Sequence, residues 1–354
     1  WVMDITLEMA ETSQHLRRPP AELNYVPAPV GCTWGTHWGT TWFRGRIEVP
    51  KSLKGHRVFY RHQSHTDKLL WLDGESFAGM NHGHEEVLLH GPAKGGESHE
   101  IYVEAYTGHL MPGMDPWKDQ LYTHQFTERD PGVEPPLPLI SSALFYEREH
   151  AAGLYYDAEV LFRTACMLDE HSLRRARLLA GLNEALNLIP MQWETDEELE
   201  SSASAARAIL APLLATENGP TTPTVGIVGH CHIDIGWLWP VRESIRKAAK
   251  SFATILNLMD DYPDFRFQQS QPWLYDVIET HYPELLPRIR KRVKEGRWEP
   301  NGGMWVEADC NMPSGESLVR QFLEGRKKTR EVFGYTSDTL WLPDVFGYSA
   351  ALPQ

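Results

Sequence analysis

Thr224-Val-Gly-Ile-Val-Gly-His-Cys-His-Ile-Asp-Ile-Gly-Trp-Leu-Trp-Pro240 changes character partway along. Its apolar residues, Val225, Ile227 and Val228, predict a buried strand that ends in two histidines and a carboxylate at alternate positions. In an extended segment every second side chain points the same way, so His230, His232 and Asp234 can converge on one point beyond the strand end. Imidazole nitrogen plus carboxylate oxygen is the donor mix that suits zinc or another first-row divalent metal. The alternative is a polar strand end with a purely structural role. Cys231, between the histidines, is turned to the opposite side by the same alternation and reads as packing.

Downstream, strands and helices alternate. Residues 240–259 predict an amphipathic helix, 265–268 a strand, and 272–295 a long helical stretch broken near Pro283 or Pro287. A third strand is expected at 297–299, a helix at 314–333 with Ser314 as N-cap, and a fourth strand at 339–342. That order implies an α/β domain over 221–354, with a parallel sheet that is open or barrel-like and right-handed crossovers. Polar residues follow each strand: His232 and Asp234; Gln268, Gln269 and Gln271; Asn301, Glu307 and Asp309; then Asp344. Parallel α/β folds place their active sites at that edge of the sheet. Asp344 leaves a hydrophobic strand just before a Phe-Gly turn, from where it can reach a metal held by His232 and Asp234; a lone Asp there otherwise caps a helix or forms a turn. Glu316 and Arg320, one helical turn apart, are expected to brace their helix.

Upstream, residues 217–224 have linker composition, and 145–216 form a helical region with Leu at three- and four-residue spacings. Residues 1–140 predict a β-sandwich: 41–50 and 100–106 alternate, and 68–77 carries an Asp73-Gly74 hairpin signal. Trp34, Trp38 and Trp42 read as sandwich core, with sugar stacking as the alternative, and the Pro-rich run 130–139 as the exit from this domain. A length of 354 residues predicts two or three domains. The net charge of -14 argues against a nucleic-acid partner. No run of about eighteen apolar residues predicts a membrane span. Four scattered cysteines without a CxxC predict a reducing, cytoplasmic setting. The chain opens at Trp1 without an initiator Met or signal pattern, so a preceding segment is expected to be missing or removed.

Five segments in order carry a resemblance: Gly229-His-Cys-His-Ile-Asp-Ile-Gly-Trp237, Trp239-Pro-Val-Arg-Glu-Ser-Ile-Arg-Lys247, Gly302-Gly-Met-Trp-Val-Glu-Ala-Asp-Cys-Asn311, Gly315-Glu-Ser-Leu-Val-Arg-Gln321 and Trp341-Leu-Pro-Asp-Val-Phe-Gly-Tyr-Ser-Ala350. Together they resemble glycoside hydrolase family 38, the zinc-dependent retaining α-mannosidases, in its bacterial and fungal cytosolic or vacuolar branch. The resemblance implies a distorted, barrel-like catalytic domain truncated at its C-terminal side, preceded by a β-sandwich and helices. It implies that His232, Asp234 and Asp344 ligate zinc, that Asp344 is also the nucleophile, and that Trp237 stacks on the sugar. His230, Glu307 and Asp309 are left to substrate binding or support of the ligands. The acid/base and a fourth ligand are expected from segments beyond Gln354, and an α-mannoside or mannose-containing oligosaccharide is the expected partner, with a homo-oligomer possible in such enzymes. Two other classes stay open. One is a metal-dependent deacetylase or amidohydrolase that uses a metal-bound water, for which His281 is the only further downstream histidine. The other is a non-catalytic carbohydrate-binding subunit.

Overall fold

Alternating strands of the first 146 residues close into two facing antiparallel sheets in the computed structural model, which describes residues 2–81, 83–107, 135–237, 239–349 and 352. One sheet orders Val2–Asp4, Ser141–Tyr146, Val58–Gln63 and Glu86–His90; the other orders Val26–Ala28, Leu7–Thr12, Gly39–Glu48, Ser98–Thr107, Lys68–Leu72 and Glu75–Met80. Alternation divides the side chains of the larger sheet. Phe43, Ile47, Leu70, Ile101 and Val103 fill the space between the sheets, while Trp42, Leu69, Trp71 and Tyr102 leave by the opposite face. Trp34 and Trp42 are buried, and Trp38 lies partly exposed at a positive φ of 62°. The first half of the Pro-rich exit expected at 130–139 falls outside the described residues; Leu137–Pro138 pairs with Thr33–Trp34.

Three helices follow: α1 (Glu149–Met167), α2 (Leu173–Leu186) and α3 (Asp196–Leu214). Leu154, Leu161, Leu178, Leu182, Ala203, Ala206 and Leu210, on the three- and four-residue spacings, make their shared core. Ser172 and Thr195 cap α2 and α3 by accepting from the amides of Arg175 and Glu198.

The last part is built on a three-stranded sheet, Gly229–His230, Phe267–Gln269 and Trp298–Pro300, paired in parallel and in chain order. Helices α4 (Val241–Asp261), α5 (Pro272–His281), α6 (Leu285–Lys294) and α7 (Gly315–Phe333) pack around it. The break between α5 and α6 falls at Pro283, and Ser314 caps α7. Two expectations need correction. The strand expected at 225–228 begins only at Gly229: Val225 and Ile227 are 77% and 87% exposed, because this is a sheet edge and the neighbouring strand takes up backbone groups only at Gly229 and His230. The strand at 339–342 is reduced to one parallel bridge, Gly302 to Leu340. Gly302 holds φ +103°, and a Cβ there would stand 2.4 Å from the Ser270 carbonyl oxygen, so only glycine lets this turn approach the end of the middle strand.

The outward face of the larger sandwich sheet is not a free surface. Trp42, Leu69, Trp71 and Tyr102 share one core with Ala248, Ala249, Phe252, Ala253 and Leu256 of α4 and with Tyr275, Ile278 and Trp298. Removing a ring buried as fully as Phe252 costs about 3–5 kcal/mol. The sandwich is thereby docked on the helix that immediately follows the histidine motif.

Candidate metal centre and active site

Glu307 lies at the centre of the polar cluster, with its side chain 1% exposed. One carboxylate oxygen takes the Nδ1 hydrogen of His232; the other takes the Ser270 hydroxyl and lies 3.3 Å from His230 Nε2. His230 Nε2 is also 3.1 Å from the Ser270 hydroxyl. The carboxylate is aimed by its own loop: Gln321 of α7 holds the loop through its backbone carbonyl, which accepts from Trp305 N at 2.8 Å, and its side-chain oxygen, which accepts from Val306 N at 2.9 Å.

The far nitrogen of His232 faces two more carboxylates. Its Nε2 stands 3.1 Å from Asp234 and 3.5 Å from Asp344. Donors held tetrahedrally at about 2.1 Å from one ion lie about 3.4 Å from each other, so these separations fit a shared cation of the zinc type. The donor chemistry fits as well: one imidazole nitrogen faces two carboxylates, and a third carboxylate fixes the imidazole's other nitrogen as the hydrogen-bearing one. Among the described residues no group of three or more His, Cys, Asp and Glu side chains could hold a metal ion as the side chains stand. Asp344, 54% exposed on a turn, is the donor with room to adjust.

The electrostatics follow from these contacts. The hydrogen bond to Glu307 raises His232 to about 9, outweighing its partial burial. Burial alone would raise Glu307, but hydrogen bonds from His230, His232 and Ser270 hold it at about 2. A cation at Nε2 must therefore displace a proton from His232, so metal binding and protonation compete at this ring.

The loop that presents His232 and Asp234 has no strand partner, and side chains hold its carbonyls instead. Gln269 donates to the Cys231 carbonyl and Gln271 to the Ile233 carbonyl, each at 3.0 Å. Cys231 turns its sulfur to Ser251 of α4, away from the histidines. Trp237, 54% exposed, meets Trp239 edge-on, and Trp341 lies beside the His230 ring at 5.8 Å.

The structure thus brings His230, His232, Asp234, Glu307 and Asp344 together and leaves Asp309 out of these contacts. Asp309 accepts the amides of Asn311 and Met312 in its own loop. His281 ends α5, with Arg17 and Asp276 as its charged neighbours. Ser270, Ser244 and Gln321 were given no role from the sequence, although Ser244 and Gln321 lie in two of the segments quoted for the resemblance. Ser270 lies within the polar Gln268–Gln271 run after the second strand, a signal that could have found it.

Residues 222–354 match the family described as Glycosyl hydrolases family 38 N-terminal domain, and residues 3–124 match the one described as Alpha-mannosidase, jelly roll domain. Alpha-mannosidase 2C1 of Mus musculus is 34% identical across 99% of this chain and 33% of its own length. Alpha-mannosidase G of Dictyostelium discoideum is 33% identical across 94% of the chain and 30% of its own length. The alpha-mannosidase of Saccharomyces cerevisiae is 27% identical across 96% and 31%. The chain spans about a third of the length of these curated relatives.

Proposed function

We propose, on the premise that residues 222–354 belong to glycosyl hydrolase family 38, that the chain contributes the nucleophile and three ligands of a metal-dependent, retaining α-mannosidase acting in the cytoplasm. One observation carries the reading: His232 Nε2 faces Asp234 and Asp344 together, while its Nδ1 is committed to Glu307. His232, Asp234 and Asp344 would hold the ion, with zinc the expected metal. When bound, the ion supplies a Lewis acid that keeps the nearby carboxylate ionised and can orient sugar hydroxyls.

The chain's own residues divide the remaining work. Glu307 fixes the His232 ring, and His230 and Ser270 in turn fix Glu307. Asp344, exposed on its turn, attacks the anomeric carbon; the C–O bond to the aglycone breaks as the ester forms, and water later cleaves that ester. Trp237 offers an exposed ring for the apolar face of the sugar. Retention also needs a second carboxyl about 5 Å from the nucleophile, protonated for the first step. Glu307, held at about 2, is ionised at neutral pH and bound to two imidazoles, so it is not that acid. The proton donor is therefore a group other than Glu307. The amidohydrolase alternative loses support, because it wants further histidines and the described cluster contains only His230 and His232.

A substrate whose leaving group needs no protonation separates these roles. With 2,4-dinitrophenyl α-mannoside and zinc, the chain should release one dinitrophenolate per molecule and carry one mannosyl group on the Asp344 peptide, as read by mass spectrometry. Asp344→Ala should show neither. An adduct elsewhere, or an unchanged burst in Asp344→Ala, would overturn the assignment.

A further inference from the structure

We propose that Ser244 is a positioning residue for the ion-binding loop, fixing Asp234 through its backbone rather than through its carboxylate. The proposal rests on the metal reading above.

Ser244 is fully buried in α4, ten residues beyond Asp234. Its hydroxyl donates to the Asp234 carbonyl at 2.9 Å and accepts from Gly236 N at 3.1 Å and from Trp239 Nε1 at 3.0 Å. A serine hydroxyl has one hydrogen and two lone pairs, so all of its capacity is spent on the turn 234–239. Trp239 Nε1 is shared with the same Asp234 carbonyl, at 3.1 Å. A serine or threonine inside a helix ordinarily bonds the carbonyl four residues back. Thr254, in the same helix, does so with Lys250. Ser244 instead reaches out of its helix to the loop that delivers two of the three donors.

The helix it reaches from is a fixed reference. Arg246, buried beside it, donates through Nη1 to the carbonyls of Asp67 at 3.1 Å and Glu104 at 3.0 Å on the sandwich. Lys250 pairs with Asp67 at 2.8 Å, Thr254 accepts from Gly79 N at 2.9 Å, and Asn257 donates to the Phe77 carbonyl at 2.8 Å. Residues 246, 250, 254 and 257 form one stripe at helical spacing, so the sandwich clamps α4 over three turns. With Gln269 and Gln271 holding the carbonyls of Cys231 and Ile233, Ser244 completes the restraint at the residue whose carboxylate must meet His232.

The test measures zinc alone. The affinity of the metal-free chain is read by competition with a chelating dye, beside its metal-free melting temperature, for the unsubstituted chain, Ser244→Ala, Trp239→Phe and Asp234→Ala. Positioning predicts roughly a tenfold loss of affinity in Ser244→Ala, a smaller loss in Trp239→Phe, and the largest in Asp234→Ala. A merely structural serine predicts a lowered melting temperature with zinc affinity unchanged, which overturns the proposal. If Ser244→Ala does not fold, Trp239→Phe decides: it keeps the hydroxyl but removes one bond to it, and unchanged affinity there is equally fatal. Zinc binding that Asp234→Ala leaves intact, or no binding by the unsubstituted chain, sinks the metal reading itself and the proposal with it.

Discussion

His99 and His232 each lean on a carboxylate through Nδ1, and of these two only His232 faces negative charge on its other side. In the sandwich, His99 Nδ1 lies 2.6 Å from Asp73, and its Nε2 faces the Nε2 of His90 at 2.9 Å. In the α/β part, His232 leans on Glu307 in the same way, but its Nε2 faces Asp234 and Asp344. The orienting device is shared: a carboxylate takes the hydrogen of one ring nitrogen and so fixes which nitrogen is turned to the other side. What differs is the far side. A second ring can close a hydrogen bond with that nitrogen; two carboxylates repel one another unless a proton or a cation joins them. The supports differ too, since Asp73 is exposed on a turn at positive φ, whereas Glu307 is buried beneath both of its histidines. A His–carboxylate pair is therefore a positioning element, and the groups around the free nitrogen decide whether it serves a metal.

Replacing the buried support should have the larger effect. Glu307→Gln should lower zinc affinity by roughly 10–100-fold, measured by chelator competition. It should also return the metal-free His232 toward its ordinary value of 6.5 in an NMR titration. The sign is set by the raised folded value: the contact supports the metal-free fold below about pH 6.5 and loses that contribution as pH rises through about 9. A Glu307→Gln variant that binds zinc normally would erase the distinction between the two pairs. The smallest effect should come from the sandwich. His99→Gln should leave zinc stoichiometry and affinity unchanged and cost about 0.5–1.5 kcal/mol of stability for the lost hydrogen bond. A zinc equivalent lost in His99→Gln would mean that two facing imidazoles suffice.

Legibility in the sequence followed how local the cause was. The alternation of the sandwich strands, the cap at Ser314, and the break at Pro283 arise from neighbouring residues, and the structure repeats them. The 230/232/234 spacing was legible because it belongs to one short segment. Glu307 was harder. It was grouped with Asp309 for substrate binding or support, yet residues 305–312 form a loop rather than a strand, so one side chain turns inward and the other caps its own turn. The exposed Val225 and Ile227 show the same limit from the other side, since apolar residues predict burial but cannot name the neighbour that must cover them. Ser244 was silent for a third reason: a serine in a helix carries no local sign that its partner lies ten residues back.

The most direct test is a crystal of the chain grown with zinc, with diffraction data recorded on both sides of the zinc absorption edge. An anomalous peak about 2.0–2.2 Å from His232 Nε2 and from the carboxylates of Asp234 and Asp344 is the predicted result. A peak confined to His90 and His99, or Asp344 turned away from an ion held by the other two, would contradict it.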